Sequence, residues 1–380
     1  MLDFNINLKT NIYFGTDIVK KALDAEHENI CGTVLIVTTG KSLIGHGYVD
    51  ALCDILKNNR NINKVLIYDN ISGNPKLSQV KEAIQIGKQS DVKIVIGFGG
   101  GSAIDAAKAV AVGIGTKNNI EDYLFKGRVP EKQTLPIIAI PTTSGTGSEL
   151  SKGAIITSDK EKIKTGIRGE NIIPQIAIVD ALYTLTVPVK ISMETGFDVL
   201  AHAIESYVSV KSNIFSEMLS EKAIKIVGKY LSIIKENPDN IYARKQLSYA
   251  SMIMGINLAN VGTCLPHRMQ YPIGGITDTS HAAGLAALYP SWVYHEYSVN
   301  DEKINNIFEY MGLKSVRSAG EAKEQIKDYL QSIDLNYNLA QMKINHSDVE
   351  MLCDKVTGNI KNDKLADIQN IVNTIFCESI

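Results

Sequence analysis

The segment VIGFGGGSAIDAAKAVAV (95–112) joins a strand-like run to a helix-like run through three consecutive glycines. The apolar run with its β-branched residues favours a buried strand, and the alanine-rich run favours a helix. Glycines without Cβ atoms let a backbone approach a bulky anion, and Ser102 is a candidate helix cap. The segment therefore predicts a strand–turn–helix unit that binds phosphate oxygens through Gly99, Gly100, Gly101 and Ser102. The spacing differs from G-x-G-x-x-G, and a tight turn without a ligand is the alternative.

The first half of the chain repeats this alternation of strands and helices. Further strand candidates are TVLIVTT (33–39), KVLIYD (64–69), LPIIAIPTT (135–143) and QIAIVD (175–180). Residues 47–59 and 76–90 have the apolar spacing of helices. Nearly continuous apolar strands that alternate with helices predict an α/β domain with a parallel sheet covered on both faces.

The second half of the chain has a different pattern. From about residue 187, long segments carry apolar residues at helical spacing and strand candidates nearly vanish. We predict an α/β domain at 1–187 and an all-α domain at 188–380. A length of 380 residues suits two domains.

Composition limits the class of protein. The net charge of −2 gives no support to nucleic-acid or membrane-surface binding. The first residues lack the pattern of a secretory signal, and no apolar run is long enough to span a bilayer. Five scattered cysteines fit reduced thiols, so we expect a cytoplasmic protein.

A hydroxyl-rich stretch, AIPTTSGTGSELS (139–151), follows a predicted strand. The hydroxyls and exposed backbone N–H groups of such a stretch suit a nicotinamide amide or a pyrophosphate. An ordinary surface loop is the alternative, since serine, threonine and glycine are common in loops. The position after a parallel strand favours a ligand-binding loop.

Four side chains in the second half form a candidate metal site. Asp198 and His202 are four residues apart and project from one helix face. With His267 and His281 they supply one carboxylate and three imidazoles, a set that suits Fe²⁺ or Zn²⁺. Each residue alone has a structural alternative, namely a helix-face hydrogen bond or a buried histidine.

Several segments together resemble the iron-containing (group III) alcohol dehydrogenase family. They are GGGSAIDAAKA (99–109), PTTSGTGSE (141–149), VDALYTLTVPVKISMETGFDVLAHAIESYVS (179–209) and the histidine segment at 267–281. The resemblance extends from NIYFG near the start to LYPSW at 288–292.

The resemblance implies a Rossmann-like dinucleotide-binding domain, a helical metal-binding domain and an active site in the cleft between them. It places Asp198, His202, His267 and His281 on the four metal-ligand positions. It places Gly99 to Ser102 on the pyrophosphate turn and Thr142 to Ser144 on the cofactor loop. Lys164 resembles a lysine near the cofactor.

Two positions depart from the family pattern. Tyr271 stands where a further histidine is usual, and its hydroxyl could relay a proton. Thr39 stands after the second strand, where NAD-preferring members often carry an acidic residue. Without that carboxylate NADPH is admissible, and Lys41 could attract its 2′-phosphate, so the sequence slightly favours NADPH over NADH.

Two cations suggest the substrate class. Arg268 lies directly after a predicted metal ligand, and Lys152 follows the hydroxyl-rich loop. Arginine suits carboxylate or phosphonate oxygens, so we expect an anionic small aldehyde. Pairing of Arg268 with Asp278 is the alternative. The segment around His267 also resembles phosphonoacetaldehyde reductases, which form 2-hydroxyethylphosphonate.

The resemblance thus predicts a metal-dependent, NAD(P)-linked interconversion of a small aldehyde and an alcohol. Alternatives are a neutral substrate, an enzyme like dehydroquinate synthase or glycerol-1-phosphate dehydrogenase, and a non-catalytic metal- and nucleotide-binding protein. Family members are often dimers or larger, so a homo-oligomer is expected.

Overall fold

A computed structural model describes residues 3–39, 41–161 and 163–380. The chain divides into two compact units, one spanning Leu8–Thr186 and the other Val187–Ile380 together with the N-terminal residues up to Asn7. The division into domains at 1–187 and 188–380 stays a prediction.

The N-terminal residues pack with the second unit rather than with the sheet that follows them in sequence. The backbone N–H of Asn7 donates to Asn260 Oδ1 at 3.0 Å, and the ring of Phe4 stacks on Phe215 with centroids 6.1 Å apart. Residues close in sequence to the first strand therefore contribute to the helical unit.

The first unit is built on strands. They are β1 (Asn11–Gly15), β2 (Gly32–Val37), β3 (Ile62–Tyr68), β4 (Val92–Gly99), β5 (Ile137–Pro141), β6 (Gly153–Ser158), β7 (Ile163–Arg168) and β8 (Ile176–Asp180). Six of them form a parallel sheet in the order β1-β8-β5-β4-β2-β3, and β6 and β7 form a separate antiparallel pair.

Helices cover both faces of the parallel sheet. They are α1 (Val19–Ala25), α2 (Lys41–Gly45), α3 (Tyr48–Lys57), α4 (Leu77–Gln89), α5 (Gly101–Gly115) and α6 (Ile120–Phe125). On β2, Leu35 and Val37 belong to one hydrophobic core, whereas Val34 and Ile36 belong to another. Successive side chains of a strand point to opposite faces, so both faces are buried and the predicted fold class is confirmed.

Sequence patterns missed three strands. The edge strand β1 pairs with β8 and is only partly buried, so it lacks the apolar run of the equally short β5 and β8. The strands β6 and β7 form a hairpin whose residues are mixed polar and apolar. Short, partly exposed strands lack the continuous apolar run that marks the central strands.

The sheet order reverses between β2 and β4. From β2 the chain continues outward to β3 and then returns to place β4 on the other side of β2. In open parallel sheets, ligands bind beyond the carboxyl ends of the two strands at such a switch point. Thr39 follows β2 and Gly99 ends β4, so both residues lie at this position.

The second unit is helical. Its helices are α7 (Val189–Val208), α8 (Ile214–Glu236), α9 (Ile241–Asn260), α10 (Leu265–Thr277), α11 (His281–Tyr310), α12 (Ala319–Ser332), α13 (Val349–Asp354) and α14 (Ile371–Glu378). Among its described residues there is no strand, as the sequence predicted. The long helix α11 is kinked at Asn300, whose φ and ψ are −146° and 41°.

The helix α7 is buried along most of its length and contacts α8, α9 and α11. Phe197 packs edge-on against Tyr289 of α11, with ring centroids 5.1 Å apart. The hydroxyl of Tyr289 donates to the carbonyl of Ala201 at 3.1 Å. Polar side chains on such a helix lie in the interior, where they need partners.

Candidate functional site

The helix α7 carries the first two predicted metal ligands on one buried face. Asp198 and His202 are 4% and 5% exposed, and His202 Nε2 lies 3.7 Å from Asp198 Oδ1. Four residues make about one helical turn, so the backbone alone brings the two side chains together.

The other two histidines come from α10 and α11. His267 is the third residue of α10, and His281 is the first residue of α11. Their Nε2 atoms lie 3.4 Å and 3.5 Å from the same Asp198 Oδ1. The ring of His267 also stacks on His202, with centroids 4.4 Å apart. The structure therefore brings all four predicted ligands together.

The spacing of these atoms suits a divalent metal ion. Asp198, His267 and His281 offer ligand atoms that all lie within 4.8 Å of one another, with His202 beside them. A tetrahedral site with ligand distances of about 2.1 Å has edges of roughly 3.4 Å, close to the observed separations. Asp198 Oδ1 and His267 Nε2 are buried without a hydrogen-bond partner among the described residues. A bound cation would satisfy both atoms.

Two buried side chains orient the imidazoles of His267 and His281 through contacts at Nδ1. Glu205 Oε1 lies 2.6 Å from His267 Nδ1, and Gln270 Oε1 lies 2.5 Å from His281 Nδ1. An acceptor at Nδ1 places the proton there and leaves the Nε2 lone pair for a metal. Glu205 itself is held by the backbone N–H of Cys264 at 2.7 Å and by the Tyr289 hydroxyl at 3.3 Å.

The electrostatics of this group favour positive charge. Burial opposes ionisation of Asp198, but His202, His281 and His267 hold its pKa well below the usual range. Burial lowers the pKa of His267, but Glu205 and Asp198 outweigh this effect and raise it to about 10. A metal ligated by His267 Nε2 would require that nitrogen to be unprotonated, so metal binding would compete with protons.

Sequence reasoning missed Glu205 and Gln270. Glu205 follows Asp198 by seven residues and His202 by three, so it lies on the same helix face. That spacing could have identified it as a buried acid beside the site. Gln270 follows His267 by three residues, but its contact with His281 depends on the packing of α10 against α11.

In the α/β unit, the glycine turn (Gly99–Gly101) lies at the switch point of the sheet. Gly99 has a φ of 151°, and an added Cβ there would lie 2.8 Å from Ala103 Cβ and 3.7 Å from Thr39 Oγ1. The turn is therefore closed to larger residues. Thr39, predicted to lie near the cofactor, is beside it.

The predicted helix cap is wrong. Gly100 is the N-cap of α5, and Ser102 lies within the first turn. The Ser102 hydroxyl instead donates to the carbonyl of Gly73 at 2.5 Å. No side chain caps α5, and the amides of Ala103 and Ile104 donate to the Gly100 carbonyl, so an anion would bind to the amides that precede them, as in anion-binding turns.

The hydroxyl-rich loop packs directly on the glycine turn. The backbone N–H of Thr142 donates to the carbonyl of Gly99 at 3.0 Å. An added Cβ on Gly100 would lie 3.3 Å from Thr143 Oγ1, and one on Gly101 would lie 2.5 Å from Thr146 Cγ2. Ser144 is 9% exposed in the same loop. Two segments 40 residues apart thus form one surface.

Lys164 lies on β7 and donates from Nζ to Asn74 Oδ1 at 3.1 Å. Asn74 adjoins Gly73, whose carbonyl accepts the Ser102 hydroxyl. The structure therefore connects Lys164 to the glycine turn through residues 73 and 74.

The two predicted substrate-binding cations have different surroundings. Arg268 NH1 donates to the Tyr271 hydroxyl at 3.3 Å, and Arg268 Cζ lies 5.7 Å from the centroid of the Tyr271 ring. Asp278, its suggested partner, is the C-cap of α10 in a left-handed conformation. Lys152 Nζ lies 3.5 Å from Glu170 Oε1 on the surface. The ion pair with Glu170 thus gives Lys152 a structural role.

None of the helices in the described parts of the chain has both the length and the apolar character needed to cross a bilayer.

Comparison with known families matches both units. Residues 9–181 match the model of iron-containing alcohol dehydrogenase, and residues 192–376 match the C-terminal model of the Fe-containing alcohol dehydrogenase family. This chain belongs to the iron-containing alcohol dehydrogenase family.

Similar proteins extend over nearly the whole chain. NADH-dependent butanol dehydrogenase A of Clostridium acetobutylicum is 29% identical over 377 residues, 94% of each protein. A crystal structure of an archaeal halo-thermophilic alcohol dehydrogenase from a Red Sea brine pool, bound to NZQ, has a TM-score of 0.93, 25% identity and full coverage of both chains. Sulfoacetaldehyde reductase of Bifidobacterium kashiwanohense, solved with NAD⁺, has a TM-score of 0.85 and 25% identity over 99% of this chain and 98% of that one.

These matches confirm the family and the enzyme class predicted from the sequence. Membership in the iron-containing alcohol dehydrogenase family implies a metal ion, NAD(H) and a small-molecule substrate for this chain. Within the described residues, the buried donors around Asp198 Oδ1 fit such a metal.

We predict that Glu205→Gln weakens metal binding by about 10- to 100-fold. The amide lacks the negative charge that supports His267, and its NH₂ group would face the Cys264 N–H. Competition with a chromogenic chelator would measure the Zn²⁺ dissociation constant. Glu296→Gln is a matched control, because it removes another fully buried carboxyl of the helical unit, one whose hydrogen-bond partner is Asn300 and not a histidine. Equal affinities for both variants would contradict the role of Glu205.

Proposed function

We propose that this enzyme reduces a small aldehyde that carries an anionic group, with NAD(P)H as the hydride donor and Fe²⁺ or Zn²⁺ at the metal site. Phosphonoacetaldehyde, reduced to 2-hydroxyethylphosphonate, is the favoured substrate. The observation that carries the proposal is the convergence of three imidazole Nε2 atoms on Asp198 Oδ1.

The proposed metal ligands are Asp198, His202, His267 and His281. A divalent ion bound there would act as a Lewis acid toward the aldehyde oxygen. The protein's contribution is to hold one carboxylate and three neutral imidazoles in place. Glu205 and Gln270 do so by accepting the Nδ1 protons of His267 and His281.

The proposed cofactor site is the surface formed by the glycine turn and the hydroxyl-rich loop. The first amides of α5 and residues Gly99–Ser102 would bind the pyrophosphate. Residues 142–144 would contact the nicotinamide end, and Lys164 and Thr39 flank the site. The cofactor supplies the hydride, and the reaction requires its C4 atom to reach the aldehyde carbon at contact distance.

Tyr271 is the proposed proton donor to the developing alkoxide. It follows His267 by four residues on α10 and therefore projects from the same face. Arg268 NH1 donates to its oxygen at 3.3 Å, so the phenolic proton can be directed to another acceptor. Arg268 would also stabilise the phenolate that remains after transfer.

The surroundings of Arg268 also support an anionic substrate. It follows a metal ligand directly, and a Cβ on Gly358 would lie 3.2 Å from its NH1, so the glycine makes room for the guanidinium. A planar guanidinium binds phosphonate or sulfonate oxygens in pairs. The similar sulfoacetaldehyde reductase is named for an anionic aldehyde. Lys152 pairs with Glu170, so the anionic substrate is assigned to Arg268.

A neutral aldehyde is the second candidate. The butanol dehydrogenase relative is named for a neutral alcohol, and it matches 94% of the chain. This candidate keeps the same metal and cofactor residues and gives Arg268 only the role of orienting Tyr271.

We further propose a cytoplasmic homodimer or larger homo-oligomer. All five cysteines are free thiols, which fits a reducing compartment.

The proposed reaction can be tested by anaerobic reconstitution with Fe²⁺ or Zn²⁺, followed by assays on phosphonoacetaldehyde, sulfoacetaldehyde and butanal. We expect metal-dependent oxidation of NADH or NADPH, with the highest kcat/KM for an anionic aldehyde. A higher kcat/KM for butanal would favour the neutral substrate. Retention of metal and nucleotide without turnover of any aldehyde would refute the enzymatic proposal.

Arg268→Ala separates the two substrate classes. We expect kcat/KM for phosphonoacetaldehyde to fall at least about 100-fold, since a lost charge-assisted hydrogen-bond pair is worth roughly 3 kcal/mol. The loss for butanal should be much smaller. Arg317→Ala, which removes an exposed arginine of the same unit, is the matched control. Equal losses on both aldehydes would remove the argument for a charged substrate.

Thr39→Asp tests the cofactor preference. A carboxylate after β2 would repel a 2′-phosphate, so we expect the dissociation constant of NADPH to rise about tenfold or more while that of NADH changes little. Quenching of intrinsic fluorescence by each nucleotide gives both constants. If wild-type enzyme does not bind NADPH, or if the variant binds it equally well, the proposed tolerance of NADPH at Thr39 is wrong.

A further inference from the structure

The α/β unit contains a fully buried lysine on the helix that follows the glycine turn. Lys108 lies on α5 and is 0% exposed. Its ammonium donates to Ser148 Oγ at 3.0 Å, to Ser151 O and Oγ at 2.9 and 3.2 Å, and to the Gly153 carbonyl at 2.8 Å. All of these acceptors belong to the segment that connects β5 to β6 or to the first residue of β6.

Asp105 lies one turn earlier on the same face of α5 and contacts the same segment. Its Oδ1 accepts the Ser148 hydroxyl at 2.5 Å, and its Oδ2 accepts the backbone N–H of Ile155 at 2.8 Å. Ser148 therefore accepts from Lys108 and donates to Asp105. The two side chains hold the second half of the segment by charge-assisted hydrogen bonds.

The first half of this segment is the proposed cofactor loop. Thr142 donates from its backbone to Gly99, and Thr146 lies so close to Gly101 that a Cβ there would clash. The segment is thus attached to α5 at the glycine turn and again two turns along the helix. Both attachments involve one rigid helix.

Burial of these ionisable side chains costs free energy, so a contribution to stability does not by itself explain them. Burial lowers the pKa of Lys108 to about 8 and raises that of the neighbouring Glu149 to about 7. Buried charges often stabilise a fold less than apolar side chains of similar size, and they specify one arrangement of their partners. A role in holding the loop in one conformation explains why charged side chains are buried here.

We propose that Lys108 and Asp105 are positioning residues for the nicotinamide cofactor, because they hold the loop at 142–152 against the glycine turn in the conformation that binds it. The inference rests on the proposed assignment of the glycine turn and this loop to the cofactor. It adds a function for two buried residues that do not themselves contact the nucleotide. Preorganisation of this kind reduces the entropy lost on binding.

Lys108→Met tests the proposal, since methionine keeps most of the side-chain volume and removes the ammonium. We expect the dissociation constant of NADH, measured by the fluorescence of bound NADH, to rise at least about tenfold. Backbone amides of residues 142–155 should exchange hydrogen faster. The Zn²⁺ dissociation constant should stay the same.

Two further variants keep the test decisive. Ser148→Ala removes only the hydroxyl shared by Lys108 and Asp105 and should weaken NADH binding in the same direction if Lys108→Met does not fold. Lys303→Met is the matched control, because Lys303 also donates to three acceptors, Tyr207 O, Ser212 Oγ and Glu217 Oε1, but lies in the helical unit. Its NADH dissociation constant should equal that of the wild type.

The outcomes separate this inference from the proposed function. If wild-type protein binds neither NADH nor NADPH, the cofactor assignment itself fails. If wild-type protein binds NADH and both Lys108→Met and Ser148→Ala bind it equally well, the positioning role is wrong. Weaker binding in Lys303→Met as well would show a general loss of stability and would also overturn the inference.

Discussion

Three imidazole nitrogens lie within 3.4 to 3.7 Å of one buried carboxylate oxygen in the helical unit, and this arrangement favours a cation. A buried carboxylate is costly unless it is paired, and a buried lone pair on nitrogen needs a partner as well. Asp198 Oδ1 and His267 Nε2 lack such a partner among the described residues. The ends of α10 and α11 and the buried face of α7 meet at this point, so one ion would satisfy side chains from three helices.

The carboxylate of Glu205 extends this constraint outward. It is completely buried, yet it accepts from His267, from the Cys264 backbone and from Tyr289. Both carboxylate oxygens are thus used, and the contact with Glu205 orients the imidazole of His267. The contact of Glu205 with Nδ1 favours the proton on that nitrogen and would leave Nε2 of His267 available to a metal ion.

The α/β unit depends on close backbone packing instead of charge at its turn. Gly99 and Gly101 have no room for a Cβ, since Ala103 and Thr146 occupy the adjacent space, and a Cβ on Gly100 would be in tight contact with Thr143. The loop that contains Thr143 and Thr146 is also held by hydrogen bonds from the buried Lys108. The surface suited to phosphate oxygens is therefore formed by the small residues of the turn, and buried charged side chains of α5 hold the adjoining loop.

The sequence alone determined the class of each unit and the identity of the four clustered side chains. Apolar strands such as β4 and the helical spacing of Asp198 and His202 are local patterns, and backbone geometry converts them directly into structure. The family resemblance, confirmed by comparison of the whole chain, came from the same motifs. The cap assigned to Ser102 was wrong because its hydroxyl found a nearer acceptor in the distant Gly73 carbonyl. The contacts of Glu205 with His267, of Gln270 with His281 and of Lys108 with Ser148 were decided only by tertiary structure, because each joins elements whose packing no local spacing specifies.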